Sequence, residues 1–138
     1  MNQGEKPKIK SFTQLFAWQE GHKLVLQIYS VTDNFPQKEQ FGLTNQLRRA
    51  SVSITSNIAE GFSRRSYKEK SQFYSMALGS LTEVQNQLLI ARDLAYIQKE
   101  NFTEAANNTV TINKLLNGLI KKSKTKIWKD YKKICNSY

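Results

Sequence analysis

Apolar residues recur at intervals of three and four along most of this chain, the spacing of one face of an α-helix. The first run spans about 14–34. Leu15, Trp18, His22, Val25, Tyr29 and Thr32 hold its period, Leu24, Ile28 and Val31 widen the stripe, and Pro36 stops it. The second spans about 39–63, with Leu43, Leu47, Ala50, Ile54 and Ile58 on one face and Gly61 near its end. The third, about 67–97, is the clearest. Ser66 and Glu69 frame a capping box at its start, and Phe73, Ala77, Leu81, Val84, Leu88, Ala91 and Ala95 carry the period on. The fourth spans about 101–122 through Phe102, Ala105, Thr109, Ile112, Leu116, Leu119 and Ile120.

The links between these runs are short, near 35–38, 63–66 and 97–101. Short links make sequence neighbours antiparallel, and four such helices form an all-α, up-down-up-down four-helix bundle. No alternating strand pattern and no internal repeat interrupts the series, so one domain over 1–138 is expected. Its core would lie at about 12–122, followed by a Lys-rich stretch, 123–138. Ile127, Trp128, Tyr131 and Ile134 are interleaved there, which fits either a frayed extension of the fourth helix or a mobile tail.

Composition narrows the chemistry. A single cysteine, Cys135, rules out an internal disulfide and a Cys-based zinc site. A single histidine, His22, removes the main ingredient of hydrolytic triads and His-rich metal sites. No segment is apolar for long enough to span a bilayer, and the first 18 residues lack the apolar run of a signal peptide. A cytoplasmic protein without membrane contact is the expectation, with a free thiol suited to a reducing compartment.

The net charge is +10, and it is unevenly placed. Residues 1–13 carry +2 through Lys6, Lys8 and Lys10 against Glu5, and residues 114–138 carry +7. The 14–113 stretch is close to neutral, at +1, but it gathers Arg48, Arg49, Arg64, Arg65, Lys68 and Lys70 against Glu60 and Glu69. With helices over 48–65 and from 66, several of these bases would meet at one end. A basic corner plus a basic tail is the electrostatic footprint of a polyanion binder. The candidate phosphate contacts are Arg48, Arg49, Arg64, Arg65, Lys68, Lys121, Lys122, Lys124, Lys126, Lys129, Lys132 and Lys133. Trp128 and Tyr131 among the lysines would stack on bases, or else pack down as a last helical turn. The plainer alternative for the lysines is a solvated surface that aids solubility.

A second constellation is polar. Ser53, Asn57 and Glu60 recur along one face of the second helix, and Ser80 and Glu83 form a similar group on the third. Together they would build a network between those helices, with Arg48 or Arg49 as partner for a buried glutamate. That network reads as a structural or subunit contact, or as part of a ligand site. Small residues nearby, Gly79 among them, suggest a close helix crossing that offsets the roughly 1 kcal/mol a mid-helix glycine costs.

Catalytic readings find little support. No base stands near a serine nucleophile, no Glu-x-x-His motif pairs with Glu60 and Glu83, and no phosphate-cradling glycine loop is present. No arginine precedes His22, which excludes the Arg-then-His pattern of one helical-bundle nuclease class. No cofactor or metal is expected. A binding or scaffolding role is favoured, with a protein-interaction adaptor as the alternative to a nucleic-acid binder.

One long window carries a resemblance. Arg48, Arg49, Ala50, Ser53, Ile54, Asn57, Ile58, Ala59, Glu60 and Gly61 match a motif near the end of the second helix in proteins encoded by intervening sequences of bacterial 23S rRNA genes. Ala77, Gly79, Ser80, Glu83 and Leu88 match that family's third-helix motif, and Trp18 and Tyr96 also fit. The chain resembles the family over about 12–122, departing at Thr55, where proline is common. The resemblance implies an antiparallel four-helix bundle with no attached enzymatic activity and a homo-oligomer, with a pentameric ring as the favoured form. A more distant likeness, to the accessory variability protein of diversity-generating retroelements, implies a basic barrel that binds a reverse transcriptase and nucleic acid.

Overall fold

The computed structural model describes residue 4 and residues 7–137; Glu5 and Lys6 of the basic N-terminal segment lie outside that range. Four helices form in chain order: α1 (Phe16–Thr32), α2 (Leu43–Ser63), α3 (Tyr67–Asp93) and α4 (Lys99–Cys135). Each packs on its sequence neighbours, and α1 closes the ring against α4. The α2–α3 interface is the largest, followed by α3–α4. This is the arrangement of an up-down-up-down bundle.

The core follows the periodic stripes. Leu24 and Ile28 of α1, Leu47, Ile54 and Ile58 of α2, Leu81, Val84 and Leu88 of α3, and Ile112 and Leu116 of α4 are sealed from solvent. At α1 the widened stripe supplies the buried Leu15, Leu24, Ile28, Val31 and Thr32, but its centre shifts away from His22 and Tyr29. Ala17, Gly21, Leu24 and Ile28 face inward, while His22 and Tyr29 are exposed. Gly21 sets this face: a Cβ there would come within 3.1 Å of the Thr55 methyl, so α1 and α2 touch closely at that point.

Helix ends show which local signals act. Ser66 caps α3 by accepting from the Glu69 amide, as the sequence predicts. A full capping box, not expected, joins Ser11 and Gln14 ahead of α1. The Glu39 carboxylate accepts from the Leu43 amide at 3.0 Å and caps α2 from four residues upstream. Helix α3 ends at Asp93, earlier than the periodicity suggests. Ala95 adopts a left-handed φ of 60°, and the Tyr96 amide bonds back to the Ala91 carbonyl at 2.9 Å. That is a Schellman closure with alanine where glycine is usual.

Helix α4 runs unbroken for 37 residues, about 55 Å. Beyond 122 the chain is therefore helix through Cys135, continuous with the bundle. Ser123 is the last buried residue, and residues 124–137 are exposed throughout.

Candidate nucleic-acid interface

The basic residues divide into two groups by position. Arg48 and Arg49 lie early in α2, whereas Arg64 and Arg65 follow its last turn. Sixteen residues of helix separate the groups by about 24 Å. The expected single basic corner is thus split, because most of the length of α2 lies between the two groups.

Arg48 is committed to structure. Its guanidinium donates to Thr32 Oγ1 at 2.9 Å and to Asp33 Oδ1 at 2.9 Å, and stacks over the Tyr29 ring at 4.7 Å. It fastens the end of α1 to the start of α2. Arg49 is exposed and borders a groove between α2 and α3.

At the other end of the bundle, Arg64 pairs with Glu60 at 3.1 Å and lies over the Phe73 ring at 4.6 Å. Arg65, on the α2–α3 link, and Lys68, in the first turn of α3, are exposed. The turn itself is held by Lys70, a member of the basic cluster that is not among the candidate phosphate contacts. Its ammonium donates to the Phe62 carbonyl at 2.6 Å and sits on the end of α2, where a cation is favoured by the helix dipole. Partial burial lowers its pKa.

The emerging α4 meets the same end. A hollow of about 560 Å³ is bordered by Lys8 and Ile9, by Tyr67 and Lys70, and by Lys122 and Lys126. Three chain segments distant in sequence bring their bases together here. Beyond this hollow, Lys124, Lys129, Lys132 and Lys133 stand on the exposed part of α4 with Trp128 and Tyr131. Those two rings stack, their centroids 5.7 Å apart and their planes 20° from parallel. Lys132 Nζ lies 5.4 Å from the Trp128 ring centre. Lys121 also faces solvent, one turn nearer the bundle.

The polar motif is built at the α2–α3 seam. The Ser53 and Ser80 hydroxyls hydrogen-bond at 2.8 Å, and Asn57 Nδ2 donates to the Ser53 carbonyl at 2.9 Å. The glutamates do not join this network. Glu60 is exposed and pairs with Arg64, and Glu83 is exposed at the rim of the groove that Arg49, Ser53 and Ser80 also border. No buried carboxylate therefore needs an arginine, because both acids point outward on their helices. Gly79 likewise faces open space, and the tight crossing is instead at Gly61, where a Cβ would lie 2.7 Å from the Tyr74 ring. The same α2–α3 groove holds Gln87, whose Oε1 is buried without a hydrogen-bond partner among the described residues. A glutamine on a helical stripe carries no such signal in sequence.

His22 stacks on Trp18 at 4.8 Å on the surface. Among the described residues no group of three or more His, Cys, Asp or Glu could hold a metal ion. No helix there is long and apolar enough to cross a membrane.

Comparison with known proteins gives one family and one fold. The family model described as "23S rRNA-intervening sequence protein" matches residues 13–118. No curated protein matches. A crystal structure of a protein of unknown function, from the S23 ribosomal protein family of Bacteroides thetaiotaomicron VPI-5482, superposes with a TM-score of 0.71 at 24% identity. That alignment covers 76% of this chain and 95% of the other.

Proposed function

This chain belongs to the 23S rRNA-intervening sequence protein family, and from that premise we propose that it acts as a homo-oligomeric, non-enzymatic bundle that contacts nucleic acid through its basic end. The observation that carries this reading is the convergence of Lys8, Lys122 and Lys126 on one hollow, beside the exposed Arg65 and Lys68. A lysine-rich helix then leaves the bundle from the same place. Such a surface neutralises phosphates without reading sequence, so affinity falls steeply with salt.

Binding of a fluorescent oligonucleotide, measured across salt concentrations, tests it. Replacing Lys121, Lys122, Lys124, Lys126, Lys129, Lys132 and Lys133 by glutamine should weaken binding and flatten the salt slope, by about 0.7–0.9 for each lost contact. Arg48→Met serves as the control. It should lower stability by about 1–2 kcal/mol and leave affinity unchanged. Equal affinity in the lysine variant and the parent would overturn the reading.

A second reading, a protein-interaction adaptor, rests on the α2–α3 groove, whose rim carries the exposed Arg49 and Glu83. Light scattering with absorbance at 260 and 280 nm on one peak separates the readings. A multiple of the 15.9 kDa chain with excess 260 nm absorbance supports the oligomer carrying nucleic acid. A complex that survives nuclease and high salt supports the adaptor.

A further inference from the structure

We propose that the free end of α4 is a stacking platform for single-stranded nucleic acid, with Trp128 and Tyr131 as the residues that distinguish single strand from duplex. The proposal rests on the nucleic-acid reading above and names the form of nucleic acid that site takes. Trp128 is 56% exposed and Tyr131 57% exposed, an unusual state for two large rings in adjacent turns. The two rings stack on each other, and more than half of each remains exposed to solvent.

The lysines near the rings are placed for a backbone. Lys124 and Lys132 lie one turn before and after Trp128, and Lys121 two turns before it, so all share its side of the helix. Lys124 borders the same shallow hollow as Trp128 and Tyr131. Aromatic faces with cations between them match a strand whose bases are unpaired: bases stack on the rings while phosphates meet the ammonium groups. In a duplex the base faces are already hidden in the helical stack. The lysines can still hold its phosphates, but the rings find nothing to stack on.

Two other occupants fit less well. Residues 121–135 carry seven lysines against one aspartate, so the same segment of a second copy would be repelled. A lipid surface wants lysines segregated from the apolar strip, whereas Lys124 stands inside it.

The test uses the full chain with a poly-uridine 12-mer and a hairpin duplex of equal phosphate number, both fluorescently labelled. In Trp128→Ala/Tyr131→Ala, single-strand affinity should fall roughly tenfold per ring, with duplex affinity and salt slope unchanged. Trp128→Phe should retain most single-strand affinity. Lys121→Gln/Lys124→Gln/Lys132→Gln should weaken both ligands and flatten both salt slopes. Both rings are exposed, so the variants should keep the parent's circular dichroism. Equal loss on both ligands, or no loss, would overturn the platform and leave the nucleic-acid reading standing. A lower oligomer mass in the ring variant, or anionic vesicles binding where oligonucleotides do not, would also overturn it. No binding of either oligonucleotide by the parent at low salt would overturn both proposals.

Discussion

The hydroxyl oxygens of Ser53 and Ser80 meet 2.8 Å apart across the seam between α2 and α3. Asn57, one turn along α2, donates to the Ser53 hydroxyl at 3.1 Å and fixes its orientation. Neither serine could reach the other if α2 and α3 were separated by larger side chains. Ser53→Ala or Ser80→Ala alone should cost about 1 kcal/mol, because each leaves a half-buried hydroxyl without its partner. The double variant should cost little more than either. A double-mutant cycle in denaturant measures this coupling, and additive losses would show that the two hydroxyls act separately.

Gly61 and Gly79 should respond to alanine with opposite signs. At Gly61 the new methyl would fall 2.7 Å from the Tyr74 ring, which is packed and cannot give way, so Gly61→Ala should destabilise by about 1–3 kcal/mol. At Gly79 it meets nothing within 4 Å, and Gly79→Ala should stabilise by about 1 kcal/mol through helix propensity. Thermal melts at two protein concentrations check both. A destabilised, concentration-dependent melt for Gly79→Ala would place that residue in a contact between copies.

Ala95 carries the left-handed turn that ends α3. Glycine has no Cβ penalty there, so Ala95→Gly should raise stability by about 1 kcal/mol. Chemical denaturation would show this as a higher midpoint with an unchanged slope.

Alkaline stability should depend on Tyr74. Burial raises its pKa above the ordinary 10.0. The unfolded chain then loses the phenolic proton first, so the stability held below about pH 10 is lost as pH rises towards the folded value. Lys70 acts in the opposite sense. Its lowered pKa makes stability rise with pH, up to the ordinary 10.5. Tyr74→Phe should therefore flatten the decline in stability above pH 10 and leave the Lys70 rise intact. Denaturant midpoints between pH 8 and 11 read both; an unchanged decline in the variant would remove Tyr74 as its source.

Much of this architecture follows from local chemistry, which is why the chain alone reveals it. The stripes of α2, α3 and α4 place Leu47, Ile54, Leu81, Val84, Ile112 and Leu116 in the core, because a 3.6-residue period admits one buried face. Ser66 marks the start of α3 because its hydroxyl serves an amide three residues away. The basic bias of the α4 end is likewise plain in composition.

Tertiary structure decided the matters that depend on residues far apart in sequence. The stripe on α1 is wide, and the close approach of Thr55 to Gly21 puts the Ala17, Gly21, Leu24 and Ile28 side of it inward and leaves His22 and Tyr29 outside. Arg48 and Arg49 look equivalent side by side, yet only Arg48 meets Thr32 and Asp33 of the preceding helix. Lys8, Lys70 and Lys122 share one hollow although more than fifty residues separate each from the next. Periodicity and capping act over a few residues and are written in the chain. The neighbours of a side chain across a bundle are set by how whole helices pack, and only the folded molecule fixes them.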